Sequence, residues 1–415
     1  MATYRPVAAT DRDRFEEILQ HAFAIEQGPS RDKQADVDDS APEYGNDSDE
    51  WPPTLSEPRG IFEGDRLVSV CKLYYLDAYL HDDFVTVGGL GGVATPSEHR
   101  REGHVRTLAA GALAEYRENG ITHVALWPFD TGFYRHLGWG IANKYTRYEL
   151  PPDGLSFARG ADGRIRRLGP DDWERLRPVE VAFGEGTNLS VRRSGTWWRE
   201  RTLSDWPDDE RPYVYGYERG GDLQGYVLYT VDSGDDGRRL NVSTLAHTDE
   251  EAYLGLLGFL SDHDSQVGTV VLWRALETEL LDRVSAPEEV ECVVEPGPMV
   301  RLTDVATAVE RYPWPDSVDV RFTLDVSDPL LDHNDGRFEV SVADGNATAT
   351  ALETSDADPE ADVSADIATL SQLSVGTHSP REAARLSDLE IRRETLADPL
   401  SRAFPGKPVC LREFF

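Results

Sequence analysis

The residues best suited to chemistry lie between Gly88 and Arg106. The segment reads Gly88-Gly89-Leu90-Gly91-Gly92-Val93-Ala94-Thr95, then Pro96-Ser97-Glu98-His99-Arg100-Arg101-Glu102-Gly103-His104-Val105-Arg106. The pattern predicts a strand with a glycine run, a tight arginine-and-glycine turn, and an amphipathic helix with Val105, Leu108, Ala109, Ala112, Leu113 and Tyr116 turned inward. A helix N-terminus offers unpaired N–H groups and the positive end of the helix dipole, and Gly103 lets the backbone come close to an anion. Arg100 and Arg101 add two positive charges, which suits a diphosphate cradle; the plainer reading is a helix start with surface arginines. At the chain end, Val409-Cys410-Leu411-Arg412-Glu413-Phe414-Phe415, the sequence turns apolar and aromatic. Most termini fray, but an apolar, aromatic one is expected to be buried.

The elements that must position these residues repeat. Arg5-Pro6-Val7 leads through Asp11 to an apolar helical pattern at Phe15, Ile18, Leu19 and Phe23, and Arg167-Leu168 leads through Pro170-Asp171-Asp172 to Trp173, Leu176 and Val179. A strand pair follows each helix, turning at Glu63-Gly64-Asp65 and around Gly220-Gly221-Asp222. Strand, helix and strand come next, at 84–95, 105–116 and 122–127 in the first copy and at 240–246, 250–260 and 268–273 in the second. Two copies of one β-α-β-β-β-α-β unit are the simplest reading. The second copy carries Thr248-Asp249-Glu250-Glu251 where the first has its arginines. Carboxylates there would repel a diphosphate, so one site per chain is expected. A third region, opening with Met299-Val300-Arg301-Leu302, has an α+β pattern of its own.

Composition narrows the partners. The 415 residues suit two or three domains at roughly 100 to 200 residues each. A net charge of −34 disfavours nucleic acid and anionic membrane surfaces. Only Lys33, Lys72, Lys144 and Lys407 are lysines, so arginine carries nearly all the positive charge; an acidic, lysine-poor surface suits a salt-rich cytoplasm. Residues 32–50 and 353–366 read as acidic surface loops. Cys71, Cys292 and Cys410 form no C-x-x-C, so neither a disulfide framework nor a metal site is expected. No apolar run approaches the 18 or so residues of a membrane span, and the N-terminus has no apolar h-region. A cytoplasmic location without a membrane anchor is expected.

Arg100-x-x-Gly103-x-Val105 after a strand resembles the acyl-CoA-binding motif of the GCN5-related N-acetyltransferase (GNAT) superfamily, from which Val105 departs where a small residue is usual. The fuller string, with Gly132-Phe133-Tyr134-Arg135-His136-Leu137-Gly138-Trp139-Gly140 about 30 residues later, resembles the enhanced-intracellular-survival (Eis) branch. That resemblance implies an α+β chain of an acetyl-CoA-binding GNAT domain (1–150), a degenerate GNAT-like domain (151–297) and a domain like sterol carrier proteins (298–415). It implies an N-acetyltransferase taking acetyl-CoA and a primary amine, on an aminoglycoside, a polyamine or a lysine, and assembly as a homo-oligomer, a hexamer in the branch. Backbone groups of Val93, Ala94 and Thr95 would follow the pantetheine arm, and Arg100, Arg101, Gly103, His104 and Val105 would hold the pyrophosphate. Tyr134 falls at the general acid and the carboxylate of Phe415 at the general base. Glu413 would raise the pKa of that carboxylate, help hold a cationic substrate, or be plain surface. A non-catalytic protein carrying a lipid in its C-terminal domain is the competing reading.

Overall fold

The computed structural model describes residues 2–23, 55–204, 211–234, 237–353 and 359–415. The acidic stretch 32–50, and 354–358 of the other, lie outside them. β1 (Ala2–Pro6) is followed by α1 (Arg12–Phe23), which buries Phe15 and Ile18. Three long antiparallel strands come next, β2 (Glu57–Glu63), β3 (Arg66–Leu80) and β4 (Asp83–Ala94). Gly64, at φ +62°, makes the first of their turns. α2 (His104–Glu118) buries Leu108, Ala109, Ala112, Leu113 and Tyr116 of the stripe expected from its period, leaves Val105 only half-buried, and crosses over to β5 (His123–Leu126), parallel to β4. The short α3 (Thr131–Arg135), capped by Asp130, and β6 (Gly140–Ile141) complete this unit.

The second copy runs from β7 (Lys144–Leu150) and β8 (Arg164–Leu168) through α4 (Trp173–Gly184), the single turn α5 (Gly195–Trp197), β9 (Tyr213–Arg219), β10 (Asp222–Gly234) and β11 (Gly237–His247). It closes with α6 (Glu250–Ser261), β12 (Thr269–Ala275), α7 (Leu280–Arg283) and β13 (Glu291–Pro296). β11 and β12 are parallel, as β4 and β5 are in the first copy. The expected echo is present element for element. β14 (Met299–Leu302) comes next, followed by α8 (Val305–Arg311), β15 (Val320–Ser327), β16 (Gly336–Ala343), β17 (Asn346–Leu352) and β18 (Val363–Asp366). α9 (Ile367–Val375), α10 (Pro380–Leu386), β19 (Leu389–Ile391) and α11 (Ala397–Ala403) finish the third unit, whose sheet runs β17-β16-β15-β18-β19. β18 falls inside the stretch expected to be an acidic loop, because Val363 and Ala365 alternate into the core and that pairing outweighs the surrounding charge.

Two strands cross the expected boundaries. The first sheet is ordered β1-β2-β3-β4-β5-β14-β6 and the second β13-β7-β12-β11-β10-β9-β8. Met299–Leu302 therefore does not open the third region; it sits between β5 and β6, with all four residues buried. From β14 the fully buried Arg301 donates to Leu137 O at 2.7 Å and to both oxygens of Asp328, at 2.6 and 2.7 Å, tying the first sheet to the third domain. Leaving one partner of such a buried pair unmatched costs about 3–5 kcal/mol. Gly138, at φ +86°, is required beside it, since a Cβ there would lie 1.7 Å from the Arg301 guanidinium.

Candidate active site

The pairing of β4 with β5 is short. It covers Gly88 against Val124 and Gly89 against Ala125 and then stops, so the edge of Leu90–Ala94 opens away from β5. On its other side, Gly92 and Val93 fall in a break of register with β3, and Gly92 takes φ +57°. This bulge re-aims the strand toward a cavity of about 670 Å³. Val93, Ala94 and Thr95 all line it; the Ala94 carbonyl accepts from Ser69 Oγ at 3.1 Å and the Thr95 carbonyl from Arg100 Nε at 3.1 Å. Neither Gly92 nor Val93 has a register partner on β3.

The turn after β4 is built for close approach. Gly103 takes φ +83° as the residue before α2, and Arg101 takes φ +65°. A left-handed non-glycine residue costs roughly 1–2 kcal/mol, strain of the kind kept at ligand-binding turns. Arg100 and Arg101 are exposed at the rim, His104 is buried, and Gly103 and Val105 also line the cavity. The six-residue turn therefore presents its two cations and the first N–H groups of α2 to one space. His99, Glu102 and His104 also bring ligand-type atoms within 4.8 Å of one another, a grouping not anticipated where no metal was expected. A hydrogen bond of 3.2 Å between His104 Nε2 and Glu102 already joins two of them.

Tyr134 enters from α3. It is buried among Phe129, Phe133 and Trp139, all within 6 Å of its ring centroid, and lines the cavity; its hydroxyl makes no hydrogen bond to the described residues. Burial, and then proximity to Cys71, pushes its pKa well above the usual tyrosine range, so the phenol holds its proton at neutral pH.

The chain end is buried as expected. Phe415 lies with its ring 5.4 Å from that of Tyr74, and its backbone lies over Gly91. The glycine run of β4 makes this possible: a Cβ at Gly89 would meet the Phe415 ring at 2.8 Å, and one at Gly91 would meet a Phe415 carboxylate oxygen at 2.9 Å. Phe414 is exposed, its ring 5.6 Å from Trp127 and its carbonyl accepting from Arg201 Nε at 3.0 Å. Glu413 is buried. Its carboxylate accepts from Arg193 Nε at 2.6 Å and Trp197 Nε1 at 2.5 Å, so it anchors the tail rather than holding a cationic substrate or serving as plain surface. Upstream, Cys410 N donates to Asn188 O and Leu411 N to the Asn143 side chain, both at 2.9 Å.

The matching turn of the second copy is closed by its own charges. Asp249 caps α6 through Ala252 N at 2.9 Å, Asp249 and Glu251 share Arg219, and Glu250 pairs with Arg283 at 2.5 Å. In the third unit the apolar cavity holds only about 60 Å³, hemmed in by Tyr312, Trp314 and Phe404. That is less than a tenth of the volume of the cavity beside β4. No helix among the described residues is long and apolar enough to cross a membrane.

Three family models match the chain in succession: an acetyltransferase (GNAT) domain over residues 3–142, a second acetyltransferase (GNAT) domain over 189–302, and a sterol carrier protein domain over 305–412. An uncharacterized N-acetyltransferase of Streptomyces avermitilis is 26% identical over 386 residues, covering 85% of this chain and 87% of the relative. Among solved structures, a GCN5-related N-acetyltransferase from Anabaena variabilis superposes with a TM-score of 0.80 at 21% identity, over 100% of both chains. Eis1 from Mycobacterium abscessus superposes with a TM-score of 0.71 at 21% identity, again over 100% of both. At such identities the superpositions show a shared fold.

Proposed function

Two GNAT acetyltransferase domains in tandem, followed by a sterol carrier protein domain, make this chain an N-acetyltransferase of the GNAT superfamily, and on that premise we propose that it moves acetyl from acetyl-CoA to a primary amine by direct attack. The amine belongs to a cationic molecule of the aminoglycoside, polyamine or lysine class. The observation that carries this reading is one cavity lined by the arginine-glycine turn, Tyr134 and the chain end together.

Each group has one role. Val93, Ala94 and Thr95 run along the pantetheine arm, and Arg100, Arg101, Gly103, His104 and Val105 hold the pyrophosphate by charge and backbone N–H. The amine nitrogen attacks the thioester carbonyl carbon, and its proton passes to the Phe415 carboxylate. As the carbon–sulfur bond breaks, the departing thiolate takes the phenolic proton of Tyr134. The residues divide into domains at 1–150, 151–297 and 298–415, except that the strand β7 of the first range joins the second sheet and the strand β14 of the third joins the first. The protein works in a salt-rich cytoplasm as a homo-oligomer, a hexamer in the Eis branch it resembles.

The 60 Å³ cavity of the third domain speaks against lipid carriage as the main role. Following thiol release from acetyl-CoA over a panel of amines, with calorimetry of CoA binding, tests the assignment. Turnover with at least one cationic amine is expected; no turnover with any amine and no CoA binding would overturn it.

A further inference from the structure

The tail reaches the first domain's cavity by way of the second domain. β11 and β12 repeat the geometry of β4 and β5: their parallel pairing runs from Arg239/Thr269 to Val242/Leu272 and ends there. Beyond that point, Thr244 and Ala246 on β11 and Arg274 and Ala275 on β12 line a cavity of about 200 Å³ together with Cys410, Arg412 and Glu413. Arg412 Nη1 donates to Leu245 O at 3.3 Å. The opening that in the first copy faces the arginine-glycine turn is, in the second, held by the tail.

Within it one cation stands between two carboxylates. Arg193 Nη1 donates to Glu180 Oε1 at 2.6 Å, its backbone N–H donates to Glu180 Oε2 at 3.1 Å, and its Nε donates to Glu413 Oε2 at 2.6 Å. Trp197 Nε1 takes the other Glu413 oxygen, and Trp127 Nε1 of the first domain donates to the Glu413 carbonyl at 2.7 Å. All three charged side chains are at least nine-tenths buried. Without Arg193, two buried carboxylates would face each other with no cation between them, a strongly unfavourable arrangement. The residue two places before the chain end is thus gripped by α4, the segment after it and Trp127 at once.

We propose that Arg193 is a positioning residue for the acetyl transfer: through Glu413 it sets where the Phe415 carboxylate stands, and this grip is what the second GNAT domain contributes to the reaction. The proposal rests on Phe415 acting as the base. Its test is a cycle of kcat measurements on the full-length chain, Arg193→Met, a chain lacking Phe415, and the two changes combined, with acetyl-CoA affinity followed throughout. Misplacing a reacting group by about 1 Å costs on the order of 100-fold, so Arg193→Met should lower kcat by at least tenfold with acetyl-CoA affinity within about twofold. It should have no further effect once Phe415 is gone, and Arg193→Lys should recover part of the loss. If Arg193→Met does not fold, Trp197→Phe removes the other donor to Glu413, keeps a ring in place, and should lower kcat in the same Phe415-dependent way. An unchanged kcat in whichever of Arg193→Met or Trp197→Phe folds, alongside a damaged chain lacking Phe415, overturns this proposal alone. The same fold-loss with and without Phe415 overturns it as well. An unchanged kcat on removing Phe415 overturns the assignment of the base, and this proposal with it.

Discussion

Gly91 and Phe415 meet where the chain's end lies on the first sheet: a Cβ on Gly91 would lie 2.9 Å from a carboxylate oxygen of Phe415. The glycine run therefore has two uses. It bends β4 toward the cavity at Gly92 and leaves room for the terminus at Gly89 and Gly91. Gly91→Ala should displace the chain end, since overpacking of this kind costs about 1–3 kcal/mol if nothing moves. The expected outcome is a kcat lower by about tenfold or more and unchanged affinity for acetyl-CoA, measured by steady-state kinetics and calorimetry.

Tyr134→Phe keeps the ring among Phe129, Phe133 and Trp139 and removes the proton. As the loss of a general acid it should lower kcat by about 10²-fold or more with little change in CoA binding. Burial holds the phenol protonated above its ordinary range, so kcat of the parent should show no fall with a midpoint below about pH 10, the unperturbed tyrosine value. A high-pH limb below that midpoint which disappears in Tyr134→Phe would contradict the burial argument.

Arg100→Gln and Arg101→Gln should each weaken CoA binding, by about tenfold for a lost charge-assisted contact of roughly 1.5 kcal/mol. Both arginines are exposed, so the affinity of the parent should also fall with added salt more steeply than that of either variant. Calorimetry across a salt series checks both.

Acid should loosen the seam between the first and third units. His123 is buried with Nε2 3.0 Å from Ser374 Oγ, and burial, then proximity to His81, lowers its pKa to about 3. The unfolded chain takes up a proton near pH 6.5 and the folded chain resists it. The neutral ring's stabilisation is thus present above pH 6.5 and lost as pH falls from there toward 3, at up to about 1.4 kcal/mol per pH unit. His123→Gln should flatten that part of the Tm-against-pH curve.

The turn from Arg100 to Val105 was legible because its chemistry is local: charge, glycine and helix start lie within six residues. The echo was legible because both copies keep the same helix-starting acids and apolar periods. The exchange of β7 and β14 was not, since Met299-Val300-Arg301-Leu302 pairs with strands more than 150 residues away and nothing in those four residues names the partner. The grip on the tail was hidden for a related reason. Arg192 and Arg193 are neighbours of the same type, yet one pairs with Asp77 across the first sheet and the other is buried between Glu180 and Glu413. Glu413 itself reads equally as a neighbour that tunes the terminal carboxylate, a substrate ligand or plain surface until those partners are seen. The third domain's small cavity was equally out of reach, because it depends on how Tyr312, Trp314 and Phe404 pack.

Extending the chain by a single glycine after Phe415 asks whether its carboxylate accepts the amine's proton. That change turns the carboxylate into a peptide carbonyl and leaves every side chain in place. A kcat lower by about 10²-fold or more is expected, with acetyl-CoA binding intact by calorimetry; full kcat in the extended chain would remove the carboxylate from the mechanism.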